Sequence, residues 1–217
     1  MSIADSAAPC HAPSLEPAQL RVRRTLPDWL RDCRAQCPQA VPFAAFAGPR
    51  VGNERATRIA ESTWLEVTAY LREIGQSVTA GRKCDYPQFS FSTAGFYRDS
   101  AVHAVHAIAF DFDAEPHAMN VPAMFWGLGF ATLAYETGSS RVVTEQNPLG
   151  LARVRIVVPL AGPIARERFK AFAALLSRAI ADATGLTIDS KAATNLFWFT
   201  GPRPSAEVPA RYVDWTP

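Results

Sequence analysis

Two aspartates, Asp111 and Asp113, close the apolar run from Val105 to Phe110 in the segment AIAFDFDAEP. Strand residues two positions apart project from the same face, so both carboxylates point together, roughly 6–7 Å apart along the strand. Neighbouring carboxylates repel unless a proton or a cation lies between them, and hard oxygen ligands suit magnesium or manganese. The pair therefore predicts a divalent-metal or catalytic site. The alternative is a turn-capping aspartate beside a solvent-facing one.

Groups suited to bind phosphate occur later in the chain. Thr137, Ser139 and Ser140 end a predicted strand in a glycine-containing loop, where hydroxyl and backbone N–H groups can meet an anion. Arg153 and Arg155 are again two apart: Arg153 precedes the apolar strand VRIVVPL, and Arg155 lies within it. Guanidinium groups bind phosphate bidentately, so two on one face predict a triphosphate clamp. The alternative for both arginines is a solvated strand edge.

A third acid, Asp189, lies on or beside a later predicted strand, in the segment TIDSKAATNLFWFTGPRP. A third carboxylate would complete two-metal chemistry, in which paired cations bind the attacking and leaving oxygens of a displaced phosphate. Lys191 and Arg203 nearby could meet phosphates or simply face water. Asp189 as an ordinary turn residue remains an equal alternative.

The elements around these residues predict an α+β fold. From residue 105 the pattern is strand, helix, strand, strand, helix, strand, with a short helix near Pro122 and an amphipathic helix over 163–184 that Gly185 ends. In the segment TIDSKAATNLFWFTGPRP, a short strand is predicted to carry Asp189, and a second strand, which is aromatic, to run from Leu196 to Thr200. This order is typical of the split β-α-β arrangement of a palm-type (RRM/ferredoxin-like) sheet with flanking helices.

The division of the chain is predicted from composition and periodicity. Residues 1–24 are rich in Ala, Pro and Ser and are predicted to form a mobile tail. Residues 25–217 are predicted to form a single domain. Its first part, 25–80, is predicted to be a helical extension, with helices from Pro27 and from Asn53 to Gly75. The palm core is expected over 83–203.

Composition limits the function classes. The 217 residues are 48 % hydrophobic and 19 % charged, and no apolar run approaches the length of a membrane span. No signal-peptide pattern begins the sequence, and four irregularly spaced cysteines predict reduced thiols in the cytosol. The net charge of +2 neither demands nor excludes nucleic acid.

Taken together, these motifs resemble the archaeo-eukaryotic primase superfamily. They look closest to the primase-polymerase domains of plasmids, phages and other mobile elements. The resemblance covers about residues 83 to 203. The series is Asp111-x-Asp113, Thr137-x-Ser139, the strand from Arg153 to Leu160 with Pro163, and Asp189.

The resemblance implies a primase or DNA polymerase that makes or extends primers on single-stranded DNA. A 3′-hydroxyl would attack the α-phosphate of an NTP or dNTP and release pyrophosphate. Two Mg²⁺ or Mn²⁺ ions would be held by the catalytic Asp111, Asp113 and Asp189. The implied nucleotide-binding residues are Thr137, Ser139, Ser140, Arg141, Arg153, Arg155 and Lys191.

One departure from the family pattern concerns the second motif. Family members commonly carry a histidine just after its serine, where this chain has Ser140 followed by Arg141. Either residue substitutes for the histidine, or nucleotide affinity falls. The alternative function is therefore a replication-initiator or DNA-binding module with weakened catalysis, and a metal-dependent phosphatase comes third. No GxxxxGK[ST] motif occurs, so a helicase would act in trans or belong to a longer chain.

Overall fold

Two antiparallel four-stranded sheets form the body of the protein in the computed structural model, which describes residues 37–48, 54–77, 86–113, 118–145, 147–200 and 212–217. The strands are β1 (Ala40–Phe46), β2 (Arg58–Thr63), β3 (Gln88–Ser90), β4 (Ala104–Phe112), β5 (Thr132–Glu136), β6 (Val154–Ala165), β7 (Trp198–Phe199) and β8 (Val213–Thr216). The helices are α1 (Trp64–Ser77), α2 (Val121–Gly127), α3 (Arg166–Thr184) and α4 (Ser190–Ala193). The α+β prediction is confirmed at the level of a fold that combines helices with antiparallel sheets.

The second sheet, in the order β4-β6-β5-β8, is covered on both faces. On one face, Phe110 and Phe112 of β4 pack against Phe125 of α2, with ring centroids 5.7 and 5.8 Å apart. On the other, Tyr135 of β5 meets Phe89 of the first sheet at 6.0 Å. A strand buried on both faces needs apolar residues at nearly every position, which is why β4 reads as a continuous run.

The order of strands within this sheet agrees with the split β-α-β pattern. Helix α2 connects β4 to β5, and β6 lies between them, antiparallel to both. The predicted fourth strand behaves differently, because β7 pairs with β3 in the first sheet, whose order is β2-β1-β3-β7. The outer edge of β5 is instead taken by β8, near the C-terminus. The ferredoxin-like or palm assignment therefore stays a prediction.

The predicted helix from Asn53 to Gly75 is wrong in its first half. Arg58–Thr63 form β2, an edge strand on β1, and the helix begins only at Trp64. A capping box sets this start: the Thr63 N–H donates to Glu66 Oε2 (2.7 Å), and the Glu66 N–H donates to Thr63 Oγ1 (3.2 Å). The apolar spacing before residue 63 resembles that of a helix by coincidence, since Ile59 is half exposed.

Two other features of the predicted helical extension also differ. Helix α1 continues past Gly75 to Ser77, and 40–46 form a strand that the sequence pattern does not predict. The described part of 25–80 is therefore two strands and one helix rather than a helical extension. The predicted tail over 1–24 and the helix from Pro27 lie outside the described residues.

Helix α3 begins three residues later than predicted. Pro163 lies at the end of β6, beside a register shift where β4 pairs with β6 between Val105 and Ala107. Proline lacks the ladder donor and is tolerated at such irregular strand ends. The predicted exit is confirmed, because Gly185 adopts a left-handed φ of 74° and its N–H donates to Ala181 O. None of the described helices is both long enough and apolar enough to cross a membrane.

Candidate functional site

The first predicted aspartate lies in a row of three polar side chains across the second sheet. Asp111 of β4 and Tyr135 of β5 both stand opposite Arg155 of the central strand β6. Arg155 Nε donates to Asp111 Oδ1 at 2.5 Å, and its Nη2 donates to Oδ2 at 2.7 Å. This is the bidentate fork of a strong guanidinium–carboxylate pair. Both oxygens of the predicted metal ligand are therefore engaged by an arginine of the same chain.

The same row joins the two sheets. Arg155 Nη1 donates to Tyr135 Oη at 3.0 Å, and Tyr135 Oη donates to the backbone oxygen of Phe199 in β7 at 3.1 Å. Arg155 also donates to that oxygen at 3.3 Å. The Arg155 side chain is only 6 % exposed and that of Asp111 18 %. The row therefore sits in a low-dielectric position between the sheets, where an unpaired charge would be costly.

Burial and charge act in opposite directions on these groups. Burial alone would lower the pKa of Arg155, but Tyr135 and the Asp111 carboxylate outweigh it and raise that pKa. Arg155 is therefore a permanent cation. Burial raises the pKa of Tyr135 to about 12, against the opposing influence of Arg155. Tyr135 thus acts as a neutral hydrogen-bonding group at physiological pH.

A second acid–arginine pair lies one step further along the strands. Arg153 Nη1 donates to Asp113 Oδ2 at 3.4 Å and to Ser139 Oγ at 3.1 Å. Asp113 is 53 % exposed, whereas Arg153 is 9 % exposed. The two pairs form the acid–arginine cluster, defined as Asp111, Asp113, Arg153 and Arg155. The cluster is neutral in formal charge and opens to solvent at Asp113.

The turn from Thr137 to Arg141 is held by a residue that the sequence motifs do not single out. Glu136 Oε1 accepts hydrogen bonds from Ser140 Oγ (2.6 Å) and Arg141 Nε (2.8 Å). Ser140 Oγ in turn accepts from the Arg153 N–H at 2.9 Å. The Ser140 hydroxyl is thus buried and bonded within the protein. An available signal was an acid directly after the apolar strand TLAY, two positions before the Gly-Ser-Ser turn.

The third predicted acid has a local structural task. Asp189 precedes α4, and its Oδ1 accepts from the Lys191 N–H at 2.8 Å, as an N-cap does. The residue is not on a strand, which corrects that expectation. Helix α4 packs against β4, so Asp189 belongs to an element that neighbours the acidic strand. Both Asp189 and Lys191 are exposed.

The donor set can be tested against a divalent metal. Among the described residues, no three His, Cys, Asp or Glu side chains come together as a metal-binding group. Asp111 and Asp113 alone have the right chemistry, because magnesium is commonly held by one or two carboxylates together with water and substrate phosphates. Both carboxylates are already paired with arginines, however. Asp111 and Asp113 therefore suit an ion bound together with phosphate, which can pair with the arginines, better than an ion that binds alone.

Comparison with known proteins adds little to this geometry. No protein-family model matches the sequence, and no curated protein matches it. Among solved structures, the chain is similar to the AEP domain (PP-N190) of the primase-polymerase of cyanophage S-2L. The similarity covers 81 % of this chain and 80 % of that chain, at 12 % identity and a TM-score of 0.38. A similarity at that TM-score assigns neither a reaction nor a site residue to this chain.

A test of the row between the sheets comes from Tyr135→Phe. The variant loses the hydroxyl that bonds Arg155 and Phe199, so we expect it to be less stable by about 1–3 kcal/mol near pH 8. Because the folded protein raises the pKa of Tyr135 to about 12, the contribution of the hydroxyl is complete below pH 10 and falls as the pH rises to 12.

The stability gap between the wild type and Tyr135→Phe should therefore narrow between pH 10 and pH 12. Urea unfolding at several alkaline pH values measures that gap. A gap that stays constant over this range would show that the hydroxyl is not held in its neutral form by burial.

Proposed function

We propose that the protein is a primase-polymerase-type nucleotidyltransferase that makes or extends primers on single-stranded DNA. The supporting observation is the acid–arginine cluster, which places two carboxylates and two guanidinium groups on one face at the ends of β4 and β6. These are the two kinds of group that a metal-bound nucleoside triphosphate requires. The order of the sequence motifs favours the same reaction.

The proposed binding step is an exchange of partners. The phosphates of an NTP or dNTP would pair with Arg153 and Arg155, and Asp111 and Asp113 would then be the residues that hold an accompanying divalent ion. Each arginine exchanges one anionic partner for another, so neither buried arginine is left without an anion. A bound Mg²⁺ or Mn²⁺ would lower the pKa of the attacking hydroxyl and stabilise charge on the transferred phosphate.

The remaining predicted residues have narrower roles in this proposal. Ser139 already bonds Arg153 and would accompany it when phosphate binds. Lys191 is exposed and could meet phosphate oxygens, and Thr137 belongs to the same turn as Ser139. Arg141 is exposed as well, but its Nε already bonds Glu136. Asp189 caps α4 through its Oδ1, so its part in holding a second metal ion stays a prediction. A helicase partner also stays a prediction.

A non-catalytic module that binds DNA is the second candidate. It is favoured by the absence of the family histidine after Ser139, where this chain has Ser140 followed by Arg141. The Ser140 hydroxyl is committed to Glu136 and the Arg153 backbone. It is also favoured by the closed pairing of Asp111 with Arg155. Such a module would bind single-stranded DNA without joining nucleotides.

An extension assay separates the two candidates. The protein is incubated with primed and unprimed single-stranded DNA, labelled nucleotides and Mg²⁺ or Mn²⁺, and we expect products longer than two nucleotides. Asp113→Asn should reduce product roughly a hundredfold or more, because it removes charge that faces the reacting phosphates. Asp99→Asn, in the exposed 3-10 turn Asp99–Ala101, is the matched control and should be unaffected. DNA binding with no product under either metal would favour the non-catalytic module.

A further inference from the structure

The buried carboxylate of Glu136 binds two segments that are distant in sequence. Its side chain has no exposed surface. Oε1 accepts from Ser140 and Arg141, and Oε2 accepts from the Tyr212 N–H at 2.6 Å. A buried charge needs such a complete set of donors, since an isolated one would be strongly destabilising. Glu136 therefore joins the turn of residues 137–141 to the start of the C-terminal strand β8.

On the side of the turn, these contacts lead to the acid–arginine cluster. The Ser140 hydroxyl that donates to Glu136 also accepts from the Arg153 N–H, and the Arg153 side chain bonds Asp113. Arg141 has a φ of 56°, a left-handed conformation that a residue other than glycine rarely adopts. Its bond to Glu136 and its backbone bond to Leu151 hold it there.

On the other side, β8 is also secured by contacts that do not involve the Glu136 carboxylate, among them the Glu136 N–H donating to Tyr212 O at 3.0 Å. Its strand pairs with β5, and Trp215 stacks on Trp64 of α1 at 4.9 Å with an interplanar angle of 9°. Arg72 of α1 donates twice to Val213 O, at 3.1 and 2.7 Å. Docking of β8 and ordering of the turn thus share one carboxylate.

We propose that Glu136 is a positioning residue that couples docking of the C-terminal strand to the arrangement of the 137–141 turn and Arg153. Loosening either segment loosens the other through this carboxylate. For the nucleotide the inference rests on the proposed function: affinity at the acid–arginine cluster then depends on a docked β8.

Hydrogen exchange on the full chain tests the coupling without any ligand. In Glu136→Ala, backbone amides of residues 137–141 and of 212–216 should both exchange faster, while those of α3 should keep their wild-type rates. Glu136→Gln retains an acceptor for Ser140, so its exchange rates should lie between those of the wild type and those of Glu136→Ala. Faster exchange in the turn alone, with β8 unchanged, would overturn the coupling.

A second variant approaches from the opposite end and guards against a folding defect at Glu136. Trp215→Leu weakens the docking of β8 without touching the carboxylate, so it should also speed exchange in the 137–141 turn. Trp126→Leu, at an exposed position of α2, is the matched control and should leave exchange in the 137–141 turn unchanged. A turn that keeps wild-type exchange in Trp215→Leu would contradict the proposal.

Nucleotide affinity gives a second readout of the same coupling. Glu136→Ala and Trp215→Leu should each weaken binding of a non-hydrolysable triphosphate with Mn²⁺, with Glu136→Ala losing roughly ten- to hundredfold. Wild-type affinity in both variants would overturn the link to the cluster. If the wild type itself binds no nucleotide, the proposed function fails, and the exchange experiments still decide the coupling.

Discussion

Replacing Asp111 with asparagine should lower the free energy of unfolding by about 3–5 kcal/mol, because it leaves the guanidinium of Arg155 buried without its counter-charge. For a domain of this size the melting temperature would fall by roughly 6–20 °C. Asparagine nearly preserves the shape, so packing alone does not account for the loss. Thermal and urea unfolding both measure it.

Asp113→Asn is the control for that experiment. Asp113 is half exposed and its contact with Arg153 is 3.4 Å long, so its loss should cost no more than about 1 kcal/mol. Both variants should lose primer extension. Equal stability losses in the two variants would show that Asp111–Arg155 is not the more strongly coupled pair.

Replacing both members of the buried pair, as Asp111→Leu with Arg155→Met, should restore most of the stability that either single change removes. Apolar side chains of similar volume avoid the desolvation of two charges, and such exchanges are often neutral or stabilising. Tyr135 would keep its bond to Phe199. The double variant should therefore fold and still bind no metal–nucleotide complex.

A double-mutant cycle with the two single variants measures the coupling between the charges. Primer extension by the double variant, compared with its stability, then separates the structural role of these two residues from their functional role. Normal primer extension by the folded double variant would show that Asp111 and Arg155 are not required for the reaction. A double variant less stable than both single variants would instead contradict the predicted coupling between the two charges.

The parts of the fold that the sequence predicts are those with strong local patterns. Strand β4 is predicted because burial on both faces requires an unbroken apolar run, and the exit of α3 because Gly185 must adopt a left-handed conformation. Apolar spacing predicts too early a start for α1, because the Thr63–Glu66 capping box decides where the helix begins. The pairing of β7 with β3 joins segments about a hundred residues apart, which no local pattern encodes.

The site shows the same limit. Asp111 and Asp113 alone predict a cation, and Arg153 and Arg155 alone predict an anion, so each pair taken by itself implies an external ligand. The antiparallel register of β4 and β6 instead places each arginine against an acid of its own chain. That register depends on the whole sheet. Whether an external ligand exchanges with these pairs is therefore the central question.

The most direct test of partner exchange measures how tightly the wild-type protein binds Mn²⁺ and a non-hydrolysable nucleoside triphosphate. Each ligand is titrated alone and in the presence of the other. Partner exchange predicts weak binding of Mn²⁺ alone, since a bare ion would leave both arginines unpaired. The nucleotide should bind roughly ten- to hundredfold more tightly in the presence of Mn²⁺ than in its absence, where a chelator removes divalent ions. Asp113→Asn should abolish that gain in affinity. Tight binding of Mn²⁺ alone, or nucleotide affinity that does not depend on the ion, would contradict partner exchange.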